Sequence, residues 1–365
     1  MSKSLLFLPD ISGFTEFVQT TEVAHSQHVI AELLEILVEA NTQDLELAEV
    51  EGDALFFYKE EEILSMEKLL AQVETMFTAF YSHLKMLEAN RICPCKACST
   101  APNLQLKIIA HSGEIQFITV QGKRKPFGTE VIQVHRLMKN SVKSDNYVLL
   151  SEDLVEEMNL PKDYKSMLFD FTGGHNEYDG KRINYFYSLI HNESLKLKPF
   201  FQAKLVELNK PPSFKIEASF PLSALKLYEY ITNYKYRHHW LIGADEFIFD
   251  ENEVTRNGTE HVCVINGKHF NFITVSKKVE PDQLVYGEHT TEAPVVGETY
   301  QFYILSPLTA NTTTLVMEVY LKAKSPIKKL MTFLFFKNLF RGNAQKSIDA
   351  LGDFVRKNEA QDQSN

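Results

Sequence analysis

Hydrophobic residues along the first half of the chain change period several times, and each change marks an element. Leu5-Leu-Phe-Leu8 is an unbroken apolar run that suits a buried strand over 4–10. Ile30, Leu33, Leu34, Leu37 and Val38 then recur at helical spacing and predict an amphipathic helix over 22–41. A hairpin over 45–58 turns at Gly52-Asp53, followed by a helix over 62–90 and a strand over 104–111. A strand pair meets at Gln121-Gly122, a helix covers 129–142, and a strand covers 147–151. The stretch Asp170-Phe-Thr-Gly-Gly-His-Asn-Glu reads as turn-rich and precedes a last strand over 183–190.

The texture shifts near residue 200. Residues 193–212 read as a linker ending in Pro211-Pro212, which can continue neither a helix nor a ladder. Beyond it, β-alternation dominates. A strand over 214–220 leads to a helix begun by Pro221 and running to Ile231. Strand-like runs follow at 245–249, 261–266, 269–278, 284–289, 299–305 and 313–321, with a closing helix over 326–357 and a tail over 359–365. An α+β protein of two domains is expected, over 1–192 and 213–358, and 365 residues is long for one core.

Charge narrows the function classes. There are 38 basic against 48 acidic residues, a formal net charge of -10, and the basic positions form no stripe beyond Lys123-Arg-Lys125. Nucleic-acid binding gains no support from this. The amino-terminal apolar run is too short for a signal peptide and no segment reaches the length of a membrane span. A cytoplasmic protein with four reduced cysteines is the expectation.

The sharpest chemistry lies in two acidic motifs on strand-like runs, Asp10-Ile11-Ser-Gly13-Phe14-Thr15 and Glu51-Gly52-Asp53. Mg²⁺ or Mn²⁺ is commonly held by one or two carboxylates together with substrate phosphates, so paired strand-borne aspartates suit phosphate chemistry. Taken alone, an aspartate before a turn also serves as a cap or an Asx-turn. Ile108-Ile-Ala-His111-Ser-Gly113 and Phe127-Gly128-Thr-Glu-Val131-Ile132-Gln-Val134-His-Arg136 follow in order.

These four motifs over residues 1–192 resemble the class III adenylate and guanylate cyclases. The resemblance implies a ferredoxin-like domain, a homodimer, and a nucleoside triphosphate bound with Mg²⁺ or Mn²⁺. It assigns metal binding to Asp10, Asp53 and the carbonyl of Ile11, and transition-state stabilisation to Arg136. Glu49 and Lys125 fall at the base-recognition positions; Glu49 is the guanine-type choice and Lys125 fits neither standard pair. The orienting asparagine is replaced by Ile132, and Gln133 lies about 100° away around a helix.

Cys93-Pro-Cys95-Lys-Ala-Cys98 packs three thiols into an insertion that the cyclase pattern does not account for. Cys-x-x-Cys is a common zinc half-site, and three sulfurs fall one short of a closed tetrahedral set. A histidine supplied by the fold, a partner subunit's cluster or an exogenous ligand would each complete it; an unliganded or redox-sensitive loop is the alternative.

The order of elements over 213–358 resembles the START-like, or polyketide-cyclase-like, superfamily, in which a curved antiparallel sheet grips a long carboxy-terminal helix. That resemblance implies an apolar small-molecule cavity, with Trp240, Phe272, Phe302 and Phe335 among its candidate lining residues. Ordinary core packing accounts for the same aromatics. Adjacent His238-His239 read as a surface turn. Two functions follow: a nucleotide cyclase, weakly active or degenerate, coupled to an apolar-ligand domain; or a non-catalytic dimeric scaffold or ligand-binding regulator.

Overall fold

The computed structural model describes residues 2–21, 23–161, 163–250, 253–293, 296–323, 325 and 336–362. The chain divides into two compact units, one of residues 1–88 and 96–200, the other of 89–95 and 201–365.

In the first unit, β1 (Ser4–Ser12) leads through α1 (Phe14–Thr20) and α2 (Val23–Glu39) to the hairpin β2 (Glu46–Glu51) and β3 (Ala54–Lys59). Helix α3 (Met66–Asn90) and short α4 (Lys96–Thr100) then precede β4 (Gln105–Gly113). The β1, β2, β3 and β4 strands lie in the order β2-β3-β1-β4, a βαββαβ unit of ferredoxin-like topology. The ribbon β5 (Gln116–Val120) and β6 (Lys123–Phe127), helix α5 (Thr129–Leu137), β7 (Tyr147–Ser151), α6 (Glu152–Glu157), β8 (Thr172–Tyr178) and β9 (Lys181–Leu189) complete the unit. Strands β7, β9 and β8 extend the sheet beyond β4; β4–β7 is its parallel pair.

Every residue of β1 is buried, because β1 lies between β3 and β4 and both its faces are covered. Leu6, Leu8, Phe56, Tyr58, Ile109 and Leu149 pack against Val134 and Leu137 of α5. Asp10 shares the face of Leu6 and Leu8 by strand alternation, so the candidate metal position lies at the end of this core layer. On α2 and α3, Glu32 and His83 join at 2.7 Å.

Two expectations change here. The stretch read as turn-rich is strand β8, paired along its length with β9. Gly174 serves packing: a Cβ there would stand 2.5 Å from the Tyr185 ring, and the reversal falls later, at Asp179-Gly180. Helix α5 ends at Leu137, five residues before the expected limit.

The second unit is a seven-stranded antiparallel sheet. Its strands are β10 (Phe214–Phe220), β11 (Glu246–Ile248), β12 (Glu260–Ile265), β13 (Lys268–Val275), β14 (Leu284–Ala293), β15 (Gly297–Thr309) and β16 (Thr312–Ala323). They lie in the order β10-β16-β15-β14-β13-β12-β11. Helix α7 (Ala224–Thr232) starts after Ser223, whose hydroxyl accepts from the Lys226 amide; Pro221 lies before the helix rather than in its first turn. The last helix, α8 (Lys337–Asp362), packs on β10, and the expected segment 326–335 lies outside the described residues. Among the described residues no helix is long and apolar enough to cross a membrane.

The interior of this unit holds a charge pair. Arg237, fully buried, donates from Nη2 to Glu288 Oε1 at 2.7 Å and from Nε to the Ile231 carbonyl at 2.9 Å. Tyr286 donates to the same carboxylate at 2.7 Å. Burial is the largest influence and disfavours the Glu288 anion, but Arg237, His261 and the hydrogen bonds from Tyr286 and Arg237 together outweigh it and hold the carboxyl below its usual range. Burial pushes His261 down to about 4.

Glu288→Gln leaves a buried guanidinium without its counter-ion and is expected to cost about 3–5 kcal/mol in denaturant unfolding. His261 is neutral in the fold but protonates in the unfolded chain near its ordinary 6.5, so stability falls as pH drops from 6.5 towards 4. His261→Phe is expected to flatten that part of the pH–stability curve, leaving the steeper loss in the carboxylate range.

Candidate functional site

Asp10 and Asp53 come together because a strand end meets a hairpin turn. Asp10 lies near the end of β1, where Gly13, at φ 88°, turns the chain into α1. Asp53 follows Gly52, at φ 70°, in the turn between β2 and β3. The Ile11 amide donates to the Asp53 carbonyl at 3.1 Å, tying turn to strand.

Asp10 is only 6% exposed. Its cross-strand neighbour on β4 is Lys107, whose Nζ stands 2.8 Å from Asp10 Oδ2. Asp53 is raised above the usual carboxylate range, first by burial and then by the Asp10 charge; its backbone hydrogen bond and Lys107 act the other way. Two neighbouring carboxylates thus face one ammonium. Anionic oxygens with charge to spare form a hard donor set, and Asp10, Asp53 and the Ile11 carbonyl fit a Mg²⁺ or Mn²⁺ ion in chemical kind.

The other candidate residues form separate ion pairs. Glu49 Oε1 and Lys125 Nζ meet at 2.8 Å on the surface. Arg136 pairs with Asp179 of the β8–β9 turn. Ile132, in the asparagine position, is 54% exposed, while Gln133 reaches towards Asp153 at 3.5 Å.

The His-x-Gly motif serves the fold. His111 is fully buried between Ser151 Oγ and Glu130 Oε2, at 2.8 Å each, and so fastens α5 to β4. The His111 hydrogen bond lowers the Glu130 carboxyl. A Cβ on Gly113 would stand 2.4 Å from Glu130 Cγ, which explains the glycine.

Cys93, Cys95 and Cys98 are buried and carry no disulfide. Of the aromatics in the second unit, Trp240 is fully buried and meets Tyr303 edge-on, donating Nε1–H to the Tyr230 carbonyl at 3.1 Å. Phe272 is half-buried and stacks on His261. Phe302 is fully buried but cannot share a cavity with Trp240. Neighbouring residues of a strand point to opposite faces, so Tyr303 takes the Trp240 side and Phe302 packs with Tyr300 and Tyr320 on the other. Phe335 lies outside the described residues, and Leu339 is 57% exposed. His238 and His239 are exposed at the end of a short 3₁₀ turn.

Lys107 and Asp179 escape sequence reasoning. Lys107 belongs to no spaced motif, and only the β1–β4 register reveals its partner. Asp179 occupies a turn whose place the β8 strand decides.

Comparison with known proteins gives a family described as "Protein of unknown function (DUF2652)", matching residues 30–147. The uncharacterized protein Rv2561/Rv2562 of Mycobacterium tuberculosis (strain ATCC 25618 / H37Rv) is 31% identical over 123 residues, 34% of this chain. The chain spans 57% of that relative's length. Among solved structures, about half of the chain is similar to adenylyl and guanylyl cyclases. The adenylyl cyclase CyaB from P. aeruginosa shows 16% identity and a TM-score of 0.39, covering 52% of this chain and 94% of that one. The guanylate cyclase domain of RhGC from Catenaria anguillulae in complex with GTP shows 15% identity and a TM-score of 0.37, covering 52% and 97%.

Carboxyl titration by NMR is expected to place Asp53 above the usual carboxylate range. Asp10→Asn removes a neighbouring anion and should bring it down, although burial keeps part of the shift. An Asp53 titrating at the ordinary position in both proteins would separate the two groups.

Proposed function

We propose that residues 1–192 bind a nucleoside triphosphate with Mg²⁺ or Mn²⁺ as a class III cyclase-like domain whose catalytic set is incomplete. The observation that carries this reading is the Asp10–Asp53 pair, two adjoining carboxylates beside Lys107. Asp10, Asp53 and the Ile11 carbonyl would hold the metal. Such an ion neutralises triphosphate charge and lowers the pKa of an attacking ribose 3′-hydroxyl.

The chain's own groups set the limits of the chemistry. Lys107 offsets the Asp10 charge and adds positive potential beside the phosphates. Arg136 can offset charge on the α-phosphate only by exchanging Asp179 for it. Ile132 offers no amide to orient the reacting groups, and loss of such a donor costs about 10²–10³ in rate. Glu49 can accept from a guanine edge once it releases Lys125. Homodimerisation, which would bring Arg136 of one protomer to the aspartates of another, belongs to the same proposal.

A second reading, a non-catalytic nucleotide-binding or dimerisation scaffold, is favoured by exposed Ile132 in the asparagine position. In either case we propose a START-like role for the second unit, binding an apolar small molecule. Its antiparallel sheet and long terminal helix support that role.

The test is incubation of the protein with ATP, GTP, CTP or UTP and Mg²⁺ or Mn²⁺, with chromatography of the products and calorimetry of binding. A slow cyclic product, abolished in Asp10→Ala and Asp53→Ala, is expected for the cyclase. Metal-dependent binding without turnover selects the scaffold. Binding that survives both substitutions, or no binding at all, overturns the site.

A further inference from the structure

Paired carboxylates that serve phosphoryl chemistry often hold two divalent ions, about 3.5–4 Å apart. In this chain a lysine already stands beside the pair. Lys107 lies on β4 opposite Asp10, and its Nζ is 2.8 Å from Asp10 Oδ2. The β1–β4 register runs unbroken from Ser4 opposite Gly113 to Ser12 opposite Gln105, so the backbone places Lys107 as firmly as Asp10. Both side chains are largely withdrawn from water, at 19% and 9% exposure, and their contact is screened less than a surface ion pair.

We propose, on the metal and nucleotide reading above, that Lys107 stands in for one ion of such a pair and that the site takes a single divalent cation with its triphosphate. A carboxylate that bridges two ions uses both of its oxygens, and Lys107 engages Oδ2 of Asp10. Oδ1 is then left for a metal. A second dication at the lysine-bound oxygen would meet the ammonium at close range, and like charges in a poorly screened place repel.

The same strand face carries a further sign of an oxygen-rich ligand. Two residues beyond Asp10, on its side of β1, Ser12 Oγ is buried and has no hydrogen-bond partner among the described residues. A phosphate oxygen would satisfy that hydroxyl. Lys107 keeps part of what a replaced ion supplies, positive charge beside phosphates, and forfeits the rest, because an ammonium cannot ligate a hydroxyl and lower its pKa. It therefore favours holding a nucleotide over fast turnover.

The test counts Mn²⁺ taken up by the full chain in equilibrium dialysis with a non-reactive nucleoside triphosphate analogue, followed by electron paramagnetic resonance of the dialysed protein. Wild type is expected to bind about one Mn²⁺ per chain, with the hyperfine pattern of an isolated ion. Lys107→Met, which keeps most of the length and removes the charge, is expected to admit a second ion and show the broadened signal of a spin-coupled pair; Lys107→Arg should stay at one. Two coupled ions in the wild type, or a folded Lys107→Met that still binds one, would overturn the role of Lys107 and leave the metal site standing. Should Lys107→Met fail to fold, the wild-type count decides: one ion supports the proposal and a coupled pair overturns it. Wild type without nucleotide-dependent Mn²⁺ uptake, or with uptake unchanged in Asp10→Asn and Asp53→Asn, would remove the metal reading itself and this inference with it.

Discussion

The proposed chemistry of the first unit depends on one electrostatic arrangement, two adjoining carboxylates that, among the described residues, share the Lys107 ammonium. The β1–β4 register sets Lys107 opposite Asp10, and the Ile11–Asp53 backbone bond brings the hairpin aspartate to the same place. Burying a carboxylate without a counter-charge is costly, and Lys107 Nζ stands 2.8 Å from nearly buried Asp10. Asp53 keeps a raised pKa, first through burial and then through the Asp10 charge, with Lys107 acting the other way. In the proposed function a divalent ion would supply the remaining positive charge, and this would link the packing of the sheet to the chemistry.

The remaining positions of the cyclase pattern are engaged in other contacts. His111 fastens α5 to β4, Lys125 closes on Glu49, Arg136 closes on Asp179, and Ile132 faces solvent. Exposed ion pairs of this kind are each worth about 0–1 kcal/mol, so a triphosphate can displace them at small cost. No such exchange supplies the missing amide at Ile132. Binding without fast turnover is therefore what the arrangement supports best.

Much of this was legible in the chain because local periodicity and short motifs determine local structure. The Asp10 strand, the Gly52-Asp53 hairpin and the start of α5 at Thr129 followed from pattern alone. What was missed came from contacts distant in sequence. Lys107 is an unremarked lysine until the sheet register is known, and Asp179 an ordinary turn residue until the β8–β9 pairing is. Gly173 and Gly174 read as a turn because glycine gives the same signal in a reversal as where a ring needs room, as the Tyr185 ring does beside Gly174. Phe302 and Trp240 read as one cavity lining because only tertiary packing decides which face of β15 turns towards Trp240.

The most direct measurement is Mn²⁺ binding, followed by electron paramagnetic resonance near pH 8 with a non-reactive nucleoside triphosphate analogue, comparing wild type with Asp10→Asn and Asp53→Asn. The account predicts nucleotide-dependent Mn²⁺ binding that either substitution weakens at least tenfold and that fades as acidification protonates Asp53. Mn²⁺ binding indifferent to both substitutions, or absent while the fold is intact, would contradict it: the two carboxylates would then be fully served by Lys107, and the site would be structural.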